Sequence, residues 1–305
     1  AAMLDFFIRF FDVPTTVSTE WKRQISPEFQ EVLYGYCAGL NAYAEQHPKE
    51  VLYKRGLPYT PEDILGGYML SFLLFTGTTG DLGDVLQGSL PKAQELPGGS
   101  NAFALSKNQS KDGNTWLFLN PHNSYTGRYS WYEAHTKSGS GTEMYGALFP
   151  GGVTVFHGFN RHLAWAHTFN YHDMVDVYKL ETNAEKTHYK VNSQWFPLEP
   201  VKVKIKVKIG PIRVAVKRIK YNTLFGPALE GPQGMYAIRN AALNGIRAAE
   251  QWWRMGAAKS FEQFEKALAM DAFPMLNIVY ADQNDNLMLR SQTHLPQRKV
   301  GPNWN

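Results

Sequence analysis

The apolar periodicity of this chain changes once along its 305 residues, and that change fixes the class of fold it can adopt. Before residue 77, apolar residues recur at helical spacing. Ser26-Pro27-Glu28 supplies a capping hydroxyl, a first-turn proline and an acid matched to the helix dipole. Phe29, Val32, Leu33, Tyr36, Leu40 and Tyr43 then share one face, which predicts a helix to about Gln46, ahead of His47-Pro48. Thr60-Pro61-Glu62-Asp63 opens a second helix in the same way, with Ile64, Leu65, Tyr68, Phe72 and Phe75 as its apolar face. From about Gly77 to Gly99 the composition shifts to Gly, Thr, Pro and Asp, and a linker is expected. After Gly99 the pattern is that of short strands: Ala102–Leu105, Thr115–Asn120, Tyr129–Thr136, Val153–Phe159, Leu163–Phe169 and Val175–Leu180. Short strands in succession imply antiparallel sheet, so the expected class is α+β: a helical segment over 1–76, a spacer over 77–99 and a β-rich core over 100–305.

Val201–Ile209 alternates strictly, so Lys202, Lys204, Lys206 and Lys208 form one solvated face and the valines and isoleucines form the other. Further on, a helical stretch covers Ala248–Met255, and Ser260 with Gln263 caps a helix to about Ala269. Strands Leu276–Ala281 and Leu287–Arg290 follow, joined by the turn Gln283-Asn284-Asp285-Asn286.

The composition, 44% hydrophobic and 19% charged, is that of a chain able to bury a core rather than a disordered one. A net charge of +4 is too small over this length to call for nucleic acid. Cys37, the single cysteine, removes any disulfide framework and any zinc site needing two thiolates, and its place on an apolar helix face reads as a buried inert thiol. The longest apolar stretch, Tyr68 to Phe75, falls short of the roughly 20 residues that span a bilayer. Neither a membrane partner nor a signal peptide is expected. The Gly-x-Ser-x-Gly elbow, the Walker loop, the dinucleotide glycine fingerprint and His-Glu-x-x-His are all missing. Histidines at 157, 162, 167 and 172 are spaced by five, which on a strand alternates faces and argues against convergent metal ligands.

The most informative stretch is Gly98-Gly99-Ser100-Asn101-Ala102-Phe103-Ala104, at the junction of spacer and first strand. Taken alone it is a turn. It is followed in order by Asn120-Pro121-His122, by Phe156-His157-Gly158-Phe159-Asn160, by Leu163-Ala164-Trp165-Ala166-His167-Thr168-Phe169, and by Asn277-Ile278-Val279-Tyr280-Ala281-Asp282. This series resembles the penicillin acylase family of N-terminal nucleophile hydrolases, which includes penicillin, cephalosporin and acyl-homoserine-lactone acylases. The resemblance covers nearly the whole chain.

That resemblance implies a four-layer αββα core begun at Ser100 and an amide hydrolase working through an acyl-serine intermediate. It implies a precursor that cleaves itself at Gly99–Ser100, so that one residue supplies both the hydroxyl nucleophile and, through its freed α-amine, the base. An α-amine has a pKa of about 7.7–8.0, close enough to neutrality to take the hydroxyl proton and return it to a leaving amine. The other roles it implies are His122 as the group that orients the serine, the Phe169 N–H and the Asn277 side chain as oxyanion donors, and Arg298 as a cation beside the α-amine.

The resemblance also implies a structural calcium site from Asp173, the Val175 carbonyl and Asp176, with Asp81 in place of a longer glutamate. No cofactor is implied for catalysis. Two positions that are commonly phenylalanine in the acyl pocket are here Asn123 and His157, which predicts a polar acyl group, carboxylate- or hydroxyl-bearing, over phenylacetyl. The substrate class is an N-acyl amide such as a β-lactam side chain or an N-acyl-homoserine lactone. The resemblance further implies sequence beyond both ends of this chain, a heterodimer of two pieces of one precursor, and a periplasmic or secreted location. The alternative from another class is a non-catalytic β-rich carbohydrate-binding module, for which 8 Trp and 16 Tyr could provide stacking surfaces.

Overall fold

The computed structural model describes residues 2–89, 99–209 and 212–298. Five helices come first: α1 (Ala2–Phe10), α2 (Val13–Gln24), α3 (Pro27–Gln46), α4 (Pro61–Phe75) and α5 (Thr78–Gln87). The caps read from sequence are formed. Ser26 Oγ accepts from the Phe29 N–H, and Thr60 and Asp63 make a reciprocal capping box that satisfies two otherwise orphaned N–H groups. The stretch expected as a linker is structured over its first half, because α5 buries Leu82 and Val85 and ends on Gly88, whose positive φ suits glycine. Burial thus overrides a local composition that favours turns.

Six strands build the sheet that carries the site. Its order is β15 (Leu287–Thr293), β14 (Met275–Asp282), β6 (Leu163–Thr168), β5 (His157–Phe159), β4 (Glu143–Leu148) and β3 (Tyr132–Lys137), all antiparallel. Alternation along β6 and β14 sends Leu163, Trp165, Ile278 and Tyr280 to one face, where they pack on Trp252, Met255 and Phe264 of α6 (Ala248–Ala257) and α7 (Phe261–Leu268). Each of these large side chains, fully buried, contributes roughly 1.5–3 kcal/mol. Asn277 pairs with Thr168 on the opposite face.

That opposite face is crossed by the hairpin β1 (Ser100–Leu105) and β2 (Trp116–Pro121). Asp285, in the turn after β14, fixes the hairpin from below: its carboxylate accepts from Ser106 Oγ at 2.7 Å, Thr115 Oγ1 at 2.8 Å and the Lys107 N–H at 2.9 Å. Helices, six-stranded sheet and hairpin therefore stack as α, β and β layers. Phe103, Trp116 and Phe118 on the hairpin's outer face are exposed, and no helix covers them among the described residues.

A second sheet runs β10 (Glu199–Ile209), β11 (Ile212–Thr223), β12 (Gly226–Gly231), β13 (Gly234–Asn240) and β7 (Val175–Leu180), with the small hairpin β8 (His188–Val191) and β9 (Gln194–Pro197) nearby in sequence. The lysine face of β10 is exposed as the alternation predicts, while Val203 and Ile205 are buried. Those residues share one core with Phe7, Phe10, Leu33, Leu65 and Leu73, so the helical segment and this sheet are packed as one body. Lys220 of β11 is buried there with its ammonium on the Asp12 carboxylate and the Phe10 carbonyl.

Candidate active site

Ser100 opens β1 directly opposite Pro121, and the ladder continues one step outward: the His122 N–H donates to the Gly99 carbonyl at 3.0 Å. The Ser100 hydroxyl donates to the same oxygen at 2.5 Å. The carbonyl between Gly99 and Ser100 is thus held by two donors, one of them the hydroxyl of the residue that follows it. Asn101 and Asn120 are register partners, and their amide nitrogens lie 3.1 and 3.4 Å from His122 Nε2. Amide N–H groups there make Nε2 the acceptor and leave the proton on Nδ1, which lies on the Gly99 side of the ring.

Phe169 follows the last residue of β6, and its N–H carries no hydrogen bond among the described residues. Asn277, on the hairpin face of β14, donates through Nδ2 to Thr168 Oγ1 at 3.0 Å and to the Phe169 carbonyl at 3.3 Å. The two expected oxyanion donors therefore sit side by side at the end of β6. Thr168 and the Phe169 carbonyl fix the plane of the Asn277 amide.

Ser100, Asn123, Trp131, Phe149, Phe156 and His157 line a narrow cleft with Phe169 and Leu276. Its free volume, about 10 Å³, is room for a single water. Beyond Phe149 and Phe156 lies a larger cavity of about 150 Å³, walled by Tyr68, Ser71 and Phe72 of α4 and by Trp252. Of the other cleft residues, Trp131 and Phe149 lie outside the motif series, and Phe156 and His167 lie within it without an assigned role. The signal for His167 was nevertheless present, since it shares the Leu163 and Trp165 face of a half-apolar strand.

His167 is held from three sides. The Trp252 indole N–H donates to its Nε2 at 2.9 Å, so Nδ1 bears the proton and donates to the Asn277 carbonyl at 3.3 Å. Its own main-chain N–H donates to His157 Nδ1 at 2.9 Å. The rings of His157 and His167 lie 5.6 Å apart although they come from different strands. Burial pushes the His167 pKa down to about 3, and burial together with the neighbouring His167 holds His157 well below the ordinary imidazole range.

Both rings are neutral when folded, whereas the unfolded chain takes up two protons as pH falls below about 6.5. Stability should therefore fall with pH across this window. Asp81 opposes the trend, because burial first and then Asp84 and Asp173 raise its carboxyl to about 6. Two depressed imidazoles against one raised carboxyl leave an expected net loss of stability between pH 6.5 and 4.5. Urea titrations at the two pH values check this, and equal midpoints with equal slopes would show that at least one imidazole is protonated in the folded state.

Arg298, expected as a cation beside the Ser100 α-amine, is ion-paired with two carboxylates. Its Nε donates to Asp176 Oδ1 at 2.8 Å, and Nη2 lies 2.9 Å from Asp173 Oδ2 and 3.1 Å from the Asp173 carbonyl. The reason is charge: Asp176 is buried and needs a partner, and a guanidinium reaches both acids at once. Arg298 thus meets the carboxylates of both Asp173 and Asp176, two of the residues expected to hold calcium with Val175 and Asp81. No cluster of three or more His, Cys, Asp or Glu able to hold a metal occurs among the described residues.

With this geometry in place, comparison with known proteins is direct. The family model described as penicillin amidase matches residues 1–305. The acyl-homoserine lactone acylase PvdQ of Pseudomonas fluorescens is 26% identical over 327 residues, covering 96% of this chain and 42% of that protein. Aculeacin-A acylase of Actinoplanes utahensis is 26% identical over 208 residues, covering 65% of this chain and 26% of its own. The chain thus spans well under half the length of these curated relatives. Among solved structures, thermostable penicillin G acylase from Alcaligenes faecalis superposes with a TM-score of 0.55 at 20% identity, over 67% of this chain and 36% of that one. It shares the N-terminal nucleophile hydrolase fold. The chain belongs to the penicillin amidase family.

Proposed function

We propose that this chain is the nucleophile-bearing part of an amide hydrolase that matures by cleaving its own Gly99–Ser100 bond. One observation carries the reading: the Ser100 hydroxyl sits 2.5 Å from the Gly99 carbonyl oxygen, which also takes the His122 N–H. In maturation the Ser100 oxygen adds to the Gly99 carbonyl carbon while the His122 N–H stabilises the oxyanion. The C–N bond then breaks, the nitrogen keeps the proton lost by the hydroxyl, and water hydrolyses the ester, leaving the Gly99 carboxylate and the Ser100 α-amine.

The mature serine repeats this chemistry on a substrate amide. Its α-amine takes the hydroxyl proton and returns it to the leaving amine, with the Phe169 N–H and the Asn277 amide as oxyanion donors. Water then releases the acyl group from the serine ester. The names of two relatives point to acyl-homoserine lactone and aculeacin A as substrates of those proteins, and an N-acyl amide is the class we assign here. We assign a periplasmic or secreted heterodimer of the two cleavage products as its working form.

Mass spectrometry and N-terminal sequencing of the protein as its own host expresses it test the reading. Two pieces are expected, the second beginning at Ser100. A chain that stays continuous through Gly99–Ser100 yet hydrolyses amides would overturn it.

A further inference from the structure

We propose that the groove between the α2–α3 junction and helices α6 and α7 is a binding site for a phosphate monoester, with Arg247, Lys22 and Lys266 as the cations that meet it. The groove shares no lining residue with the Ser100 cleft, and its ligand is independent of the acylase reading. Its volume, about 590 Å³, falls in the range of roughly 300–1,000 Å³ that holds small molecules. Lys22 and Arg23 come from the end of α2, Arg247 from the turn before α6, Arg254 from α6 and Lys266 from α7. Five cations far apart in sequence thus share one wall, in which Glu250 is the one acid among the described residues.

Two of the five are already committed. Arg23 pairs with Glu20. Arg254 Nε donates to the buried Glu250 carboxylate at 2.9 Å, and its Nη2 donates to Ser26 Oγ at 3.0 Å. Glu250 also accepts the Ser26 N–H at 3.3 Å. These bonds tie α6 to the start of α3 and fix the floor of the groove. They also occupy the carboxylate of the wall, so no acid pairs with Lys22, Arg247 or Lys266 among the described residues.

Arg247 separates this wall from an ordinary solvated face. Lys22 and Lys266 are exposed and would be hydrated without a ligand, but the Arg247 Nε–H is buried and meets no acceptor among the described residues. An arginine cannot give up its proton to relieve this, and a buried charged donor left unpaired is destabilising, so an acceptor from outside the wall is called for. A phosphate monoester carries close to two negative charges at neutral pH and three terminal oxygens. Two oxygens can take the guanidinium fork while the third meets an ammonium. A carboxylate brings one charge to three cations and leaves the lysines unmet. A groove of this size keeps room beside the phosphate for the organic part of the ester.

The experiment uses the full-length protein and two sources of the same headgroup: glucose 6-phosphate, with glucose as the uncharged control, and phosphatidylcholine vesicles with and without phosphatidic acid. At low ionic strength calorimetry is expected to give a Kd below ~1 mM for glucose 6-phosphate, weakening as salt is added, and no binding of glucose. Arg247→Met should weaken binding at least ~10-fold and Lys266→Met at least ~3-fold. Lys204→Met, on the exposed lysine face of β10, should leave it unchanged. Circular dichroism checks that each variant is folded, and Lys266, being exposed, decides the matter if Arg247→Met does not fold. Cosedimentation with phosphatidic acid vesicles, reversed by glucose 6-phosphate, assigns the site to a lipid headgroup, and calorimetric binding without cosedimentation assigns it to a soluble ester. Binding of neither probe, as when another part of the full-length protein fills the groove, overturns the site. Unchanged affinity in folded Arg247→Met or in Lys266→Met, or an equal loss in Lys204→Met, overturns it too.

Discussion

Ser100→Ala is expected to leave one uncut chain with amide hydrolysis reduced at least ~10⁴-fold, while its fold is retained. In the reaction proposed above the residue holds two jobs that share one oxygen: before cleavage it attacks the Gly99 carbonyl, and afterwards it attacks substrate. Removing it leaves the His122 N–H still polarising the Gly99 carbonyl, but polarisation without a nucleophile breaks no bond. The hydroxyl's only hydrogen bond among the described residues goes to Gly99, so its loss costs the fold little. Ser100→Cys separates the two jobs: a thiol can perform the same acyl shift, so the chain should still be cut, with turnover of substrate altered. Intact mass, N-terminal sequencing and circular dichroism report cutting and folding separately. Complete processing of a folded alanine variant would remove Ser100 from maturation.

How much of this was legible beforehand divides by range along the chain. Ser26, Thr60 and Ser260 mark helix starts by local hydrogen bonding, and the structure forms each cap. α5 was hidden because its stabilisation is distant. Leu82 and Val85 belong to the core that includes Leu229 and Ile238 of the second sheet, and nothing in a Gly- and Thr-rich stretch announces such a partner. The site divides in the same way. Ser100, His122, Phe169 and Asn277 are carried by ordered motifs, and the sheet register brings their backbones to one end of the hairpin and of β6. Arg298 was assigned by a motif alone. Its partner is set by the buried negative charge of Asp176, 122 residues away, which no local pattern encodes. His167 and Trp252 are a buried apolar-face pair whose link to Asn277 exists only once α6 lies on the sheet.

Asn277→Ala in the matured protein is expected to lower kcat by ~10²–10³-fold while changing KM less than ~3-fold. In the resting site the Asn277 amide already donates to Thr168 Oγ1 and the Phe169 carbonyl. A substrate carbonyl, itself a neutral acceptor, gains little by drawing an N–H away from these. The tetrahedral oxyanion is different: charge-assisted hydrogen bonds are roughly twice as strong, so the exchange becomes favourable only as negative charge develops. An interaction strengthened in this way appears in kcat rather than in substrate binding. The structural cost is separate and smaller, because removing the amide orphans two partly exposed acceptors, at about 1 kcal/mol. Maturation should persist, since the His122 N–H, not Asn277, meets the Gly99 carbonyl. Asn277→Asp gives the sharper control. The carboxylate is nearly isosteric but repels the oxyanion, so it should be at least as slow as the alanine variant. If alanine and aspartate both turn over at the unmutated rate, the oxyanion is stabilised by other donors and Asn277 serves only to brace the end of β6.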